Sequence, residues 1–265
     1  MFNIGDLMVT SLDTITALSL SGDELLAILD ELQDATISNT EDTQDITGKN
    51  GRKLNTLKRN KGVTISGTNG LLSSGLMAVQ VGGEFAEKAK ASVQWTERVA
   101  VTGGKAATTY KAVGTAGAEI MAAYIANADG SAGTKLTQDA AAAEGKFAYK
   151  PDTKELSFHT DVTDGTEVIV IYMRNVKAGV LSNDSNKFAK KAHLFVDATA
   201  EDRCGNVFHV QIEVPKADFS GQFDMAFGDN QTTHAFEAVS LAGACGAGGN
   251  LWNYTVFGAN EGDAA

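Results

Sequence analysis

Proline is nearly absent from this chain, at 2 of 265 residues, so its turns fall to glycine, which supplies 28. Cysteine is equally scarce. Cys204 and Cys245 are the only two, which excludes a disulfide framework. No apolar run approaches the roughly 18–20 residues that cross a bilayer as a helix. The first residues, MFNIGDLMVTSLDT, lack the basic and apolar regions of a secretory signal. The sequons at Asn183, Asn230 and Asn253 therefore carry no weight. Basic residues are also short, at 22 against 33 acids, for a net charge of −11. That balance excludes a protein that grips duplex DNA, because phosphate binding needs clustered Lys and Arg. These absences describe a soluble protein made in a reducing cytoplasm with no membrane anchor. Hydrophobic residues at 43% and charged residues at 21% suit a folded chain and exclude disorder over most of its length.

The charge is segregated. Residues 1–48 carry ten acids and no Lys or Arg, whereas residues 49–61, KNGRKLNTLKRNK, carry six bases and no acid. A sign change this sharp creates two surfaces able to attract each other between copies, or two solvated loops. The bases are Lys49, Arg52, Lys53, Lys58, Arg59 and Lys61, and the nearest preceding acids are Glu41, Asp42 and Asp45. These nine residues are the candidates for subunit contact. The six bases are expected to line one side of a long hairpin.

Period-two alternation dominates from Val63 onward. Val63 and Ile65 alternate with Thr64 and Ser66, and Val93–Val101 and Thr108–Val113 read as strands. Leu156, Phe158, Thr160 and Val162 share one strand face, and VIVIYM at 168–173 suits a strand covered on both sides. Leu194 and Val196 lead into Phe208, Val210, Ile212 and Val214, with His209, Gln211 and Glu213 opposite. Residues 223–227, 232–241 and 251–257 complete the set, with turns at Asp129-Gly, Asp164-Gly, Cys204-Gly-Asn and Gly228-Asp-Asn. Leu71–Val81 reads as a short helix, while DELLAILDEL at 23–32 fits either a short helix or the start of a strand running to Ser38. The fold class is mostly β, an antiparallel β-sandwich or barrel with one or two short helices and a long charged hairpin loop. Residues 114–148 read as a loop-rich excursion of a single domain spanning 1–265, with a small insertion over about 84–180 as the alternative.

Catalytic chemistry has little to stand on. The three Gly-Lys pairs, at 48, 104 and 145, lack the Ser/Thr and the spaced glycine of a P-loop. No nucleophile elbow or zincin motif occurs. Gly243–Gly249 reads as a flexible turn. Cys204, His193 and His209 match no usual zinc spacing, so Cys204 reads as a small buried hydrophobe. His159, His193, His209 and His234 fall on the polar faces of strands as surface or interface residues. No catalytic residue, cofactor or metal is expected.

The stretch Asp45–Gly70, DITGKNGRKLNTLKRNKGVTISGTNG, resembles the N-terminal part of tail tube (major tail) proteins of long-tailed bacteriophages, in which a charged hairpin precedes a strand and a short helix. Residues 192–198, 206–214, 215–223, 236–241 and 251–256 resemble later core strands of that family, and the long middle departs from it. The resemblance implies a virion structural protein that forms homo-hexameric rings stacked into a tube. DNA would pass its lumen without specific binding, and other phage tail proteins would be its partners. An acidic wall suits that role, since removal of loop 49–61 leaves 16 bases against 33 acids, or −17. The alternatives are another virion part, such as a head decoration or tail terminator protein, and a non-catalytic cytoplasmic β-sandwich binding module.

Overall fold

A computed structural model describes residues 6–226, 232–242 and 249–258. The chain forms two compact units, the first from residues 1–85 and 181–265, the second from residues 86–180. In chain order the strands of the first unit's opening half are β1 (Leu7–Leu18), β2 (Leu25–Leu29), β3 (Leu32–Thr47) and β4 (Lys53–Asn69), followed by helix α1 (Ser74–Val81). The second unit holds β5 (Ala86–Ala100), β6 (Lys105–Ala107), β7 (Ile120–Ala126), β8 (Ala132–Gln138), β9 (Lys146–Lys150), β10 (Glu155–Phe158) and β11 (Glu167–Val180). The first unit resumes with β12 (Lys191–Asp202), β13 (Val207–Phe219), β14 (Met225–Ala226), β15 (Thr233–Ser240) and β16 (Asn253–Gly258). The fold is mostly β, and α1 is its one α-helix among the described residues.

The first unit is a single sheet in the order β2-β1-β12-β13-β15-β4-β3, with β16 and β14 attached to β13 and β15. Its end strands β2 and β3 are joined by only Asp30 and Glu31. A link that short spans at most ~11 Å, so the sheet must curl until its two edges nearly meet. Inside the curl lie Ile15, Leu29, Val63, Ile65, Leu194, Val214 and Phe236, and α1 inserts Leu76 and Val79 among them. The segment 23–32 is therefore not helix, and its strand reading holds only in part: Leu25–Leu29 is β2, and Asp30-Glu31 reverses the chain before β3 runs on through Ser38. Its short apolar run reads equally in both periods, and pairing with β1 through Ile15–Leu29 and Ala17–Ala27 decides it.

The helix starts at Ser73, whose hydroxyl accepts from the Leu76 backbone N–H at 3.2 Å. It stops at Gly82, which adopts φ +66°, and a Cβ there would lie 2.0 Å from the Phe188 carbonyl oxygen. Only glycine fits both the left-handed backbone and that approach. Under the helix lies His234, fully buried on β15. Its Nδ1 faces the Ser73 backbone N–H at 3.4 Å and must accept, so Nε2 carries the proton and donates to Gln80 Oε1 at 2.7 Å. Gln80 Nε2 in turn donates to the Ala235 carbonyl at 3.0 Å. The expectation of a surface histidine at 234 is overturned: the side chain alternates inward with Phe236 and Ala238, and its two ring nitrogens are satisfied locally.

The second unit is a seven-stranded sheet in the order β5-β11-β7-β8-β9-β10-β6, antiparallel except for the β8–β9 pair. Val168, Val170 and Tyr172 of β11 pack with Phe147, Leu156 and Phe158, while Ile169 and Ile171 are half-buried on the other face. Three sequence expectations fail here, the last of them in part. Residues 108–113 are not a strand, because their backbone N–H groups are taken largely by side chains. Glu97 accepts from Thr109 at 2.8 Å, Tyr172 from Tyr110 at 3.2 Å and Tyr149 from Ala112 at 2.9 Å. Residues 114–148 are not a loop-rich excursion but carry β7, β8 and the start of β9, which their alanine content disguises. The strand expected over 156–162 ends at Phe158, and Val162 reaches the same core from the following turn. No helix of the described residues is long and apolar enough to cross a membrane.

Candidate assembly surfaces

The hairpin of β3 and β4 is the most unusual element of the first unit. Near its base Val63 and Ile65 are buried. From Ser38 to Lys61, by contrast, nearly every residue on both faces is exposed, so this stretch projects from the core as a bare two-stranded ribbon. Eight residues per arm beyond Thr40 give it a reach of ~26 Å at 3.3 Å per residue. The tip is turned by Asn50 at φ +62° and Gly51 at φ +71°, closed by Gly48 N–H donating to the Arg52 carbonyl at 2.8 Å. Ribbons of two strands with no covering layer are marginal in water. This one also exposes Ile46, Leu54 and Leu57 near the tip, an arrangement that invites a partner surface.

All nine candidate contact residues lie on this ribbon, and the structure sorts them. Glu41, Asp42 and Asp45 occupy β3, and Lys53, Lys58, Arg59 and Lys61 occupy β4, with Lys49 and Arg52 at the tip. Some acids and bases meet within the hairpin itself: Lys53 reaches Asp45 at 2.7 Å and Lys58 reaches Glu41 at 2.9 Å. Asp42 accepts from Asn60 Nδ2 at 3.0 Å, beside a bulge at which Asn60 and Lys61 oppose Glu41. Such exposed pairs are worth only ~0.2–1 kcal/mol each. Among the described residues, Lys49, Arg52, Arg59 and Lys61 have no carboxylate within 4.0 Å. The bases share one arm and the tip but not one face, since Lys58 and Arg59 are consecutive on a strand and point oppositely. The expectation that they line one side is corrected accordingly.

A second surface went unassembled in the sequence because it needs the sheet order. On the face of the first unit opposite the core, β12 presents His193, Asp197 and Glu201, and β13 presents Gln211 and Glu213. Gln211 donates to Asp197 Oδ1 at 2.8 Å, and Thr199 donates to Asp13 at 2.7 Å. Glu213 accepts from Asn253 at 3.0 Å and meets His193 Nε2 at 2.8 Å. The Asn253 hydrogen bond, with help from His193, holds the Glu213 carboxyl below its ordinary range, so it stays ionised. Farther round, Thr64, Ser66 and Thr68 of β4 stand beside Glu237 of β15. The signal was present in the alternation His209-Val-Gln-Ile-Glu213, but which strands flank it was not.

Net charge follows the division into units. Residues 86–180 hold 11 acids and 11 bases and are neutral. The whole −11 thus falls on the first unit, whose 22 acids face 11 bases, six of them at 49–61. In the second unit the ions pair among themselves, as in Lys111–Asp152 and Lys146–Asp139, both at 2.7 Å.

The profile of the YomU/Tube protein family matches residues 7–251, nearly the whole chain and both units. The chain belongs to this family. It is thereby a phage tube-related structural protein and a virion component, in keeping with its β-rich fold. A search of curated proteins returns no match.

The remaining sequence candidates are dispersed. Cys204 is exposed in the turn between β12 and β13, not buried, because the Asp202 carboxylate draws the turn closed by accepting from the Cys204 and Asn206 backbone N–H groups. Among the described residues no group of three His, Cys, Asp or Glu side chains could hold a metal ion. Cys245, Asn230, most of Gly243–Gly249 and the Gly228-Asp-Asn turn lie outside the described residues.

Proposed function

We propose that this protein is the subunit of a phage tail tube, assembling as homo-hexameric rings that stack around a lumen through which DNA passes. The observation that carries this reading is the charge partition of the first unit, an acidic sheet face together with a projecting basic hairpin. Ring closure and stacking need two different complementary patches on each copy. The projecting hairpin, with Lys49 and Arg52 unneutralised at its tip and Arg59 and Lys61 nearer its base, is one patch, and the acidic remainder of the unit supplies the other. A Thr-, Ser- and carboxylate-rich wall around Asp197 and Glu213 repels phosphate, so DNA slides without a bound state to escape. Such a tube needs no catalytic group, cofactor or metal, and other tail proteins would engage its ends. The subunit is made in the host cytoplasm and incorporated into the tail.

Negative-stain microscopy of concentrated protein tests the reading. Wild type should give rings or tubes, and reversal of Arg52, Lys53, Lys58 and Arg59 to Glu should leave dispersed, β-rich protein. Normal tubes from the reversed variant would defeat the hairpin contact. Dispersed wild-type protein that binds only to preformed heads would favour a decoration role.

A further inference from the structure

In the second unit Arg174 makes no ion pair with a carboxylate among the described residues and packs on aromatic rings instead. Arg174 of β11 lies across the ladder from Val93, next to the Trp95–Tyr172 pair. Its guanidinium carbon sits 3.7 Å from the centroid of the Tyr110 ring and 4.4 Å from that of Trp95. The two rings meet edge to face at 5.3 Å and 89°, so the guanidinium is held in the corner of an aromatic L. Cation–π contact of this kind fixes the plane of the group without neutralising it.

A carboxylate on the adjacent strand β5 is already committed. Glu97 accepts from the Thr109 backbone and hydroxyl and from the Tyr172 hydroxyl, and it makes no ion pair with Arg174. Among the described residues three buried side-chain polar atoms have no hydrogen-bond partner, and two of them are the Arg174 Nε and the Trp95 Nε1. Both are donors, and both belong to this one cluster. Orphaned buried donors are uncommon in native proteins, and two in one cluster mark a place that calls for an explanation. The terminal nitrogens of Arg174 have no partner either and are not sealed off, so the forked edge of the guanidinium is the part open to solvent.

We infer that Arg174, oriented by Trp95 and Tyr110, anchors a carboxylate-binding site on the second unit. A planar carboxylate matches the two parallel N–H groups of the guanidinium edge, and the stacked rings keep that edge from turning away. The carboxylate comes either from a free small acid or from an Asp or Glu side chain of another copy. The recognition chemistry is the same for both.

Trp95 is the reporter, and Trp252→Phe removes the second tryptophan signal from the full-length chain. Glutarate is titrated against sodium chloride at matched ionic strength, followed by a dilution series of the protein alone. A saturable change in Trp95 emission with glutarate but not chloride, weakened about tenfold or more by Arg174→Lys because an ammonium cannot form the fork, assigns a free-acid site. A change with protein concentration alone, lost in Arg174→Lys, assigns the carboxylate to a neighbouring copy. No response in either series, or responses unchanged by Arg174→Lys, overturns the inference. Arg174→Gln, checked for an unaltered far-ultraviolet spectrum, repeats the comparison without any charge. None of these outcomes depends on tube formation by the first unit.

Discussion

Replacing Gln80 with Leu removes the link that ties α1 to β15. Gln80 is 1% exposed and uses both ends of its amide, accepting from His234 Nε2 and donating to the Ala235 carbonyl. Leucine leaves one buried donor and one buried acceptor unpaired at a cost of about 1–3 kcal/mol each. Its added apolar area returns part of that, so a net loss of ~2–4 kcal/mol is expected. The effect should also depend on pH. Burial pushes the His234 pKa below its ordinary value near 6.5. In the neutral state the Ser73 N–H can donate to Nδ1, but a protonated ring would set two donors face to face. Because the folded form binds the proton less well than the unfolded form, His234's contribution is complete above about pH 6.5 and declines as pH falls towards the depressed folded value. Urea unfolding of the Trp95→Phe chain, followed through Trp252, reads the first unit alone. A midpoint shift equivalent to less than ~0.5 kcal/mol at pH 8 would refute the reasoning, as would stability of the parent that rises between pH 7 and pH 5.5.

Gly82→Ala should cost at least ~2 kcal/mol, combining left-handed strain with displacement of the Phe188 carbonyl, and the same urea assay checks it. Ser73→Ala should cost ~1 kcal/mol as the loss of a helix cap, measured alongside. Cys204 should react stoichiometrically with a thiol reagent in the native protein, and Cys204→Ser should shift stability by less than ~0.5 kcal/mol, read by urea unfolding. Ala86 and Val180 are direct register partners at the root of the second unit. Replacing residues 86–180 by a short Gly-Ser linker should therefore leave a first unit that still folds and, if it is the tube-forming part, still polymerises. Circular dichroism and microscopy of that chain decide both points.

The strand content was legible wherever apolar residues alternate with polar ones on a half-buried sheet, as in β12, β13 and β15. It was hidden in β7, where alanine fills strand positions and carries little periodic contrast, and in β8, AGTKLTQ, where Leu136 is the one large apolar residue. Thr108–Val113 misled in the opposite way: its residues have strand propensity, but Glu97, Tyr149 and Tyr172 capture backbone N–H groups that a ladder would have used. Of the assembly surfaces, the hairpin was visible as a charge reversal in consecutive residues. The acidic face was not, because Asp13 and Asp197 converge only through pairing of strands far apart in sequence. His234 was misplaced since a histidine among polar neighbours reads the same whether it points out or in.

The order of strands in the first unit also bears on how the chain is born. Asp13 and Thr199, hydrogen-bonded across β1 and β12, are 186 residues apart. β4 completes its place in the sheet only through β15. On a ribosome delivering ~5–20 residues per second, the second unit and the β3–β4 hairpin can form from contiguous sequence as they emerge, since local contacts are reached early. The curled sheet must wait for β12 and beyond. The hairpin can thus be complete while the surface it would engage does not yet exist on the same chain. If copies of the chain do assemble through these two surfaces, a nascent chain that still lacks β12–β15 offers only one of them.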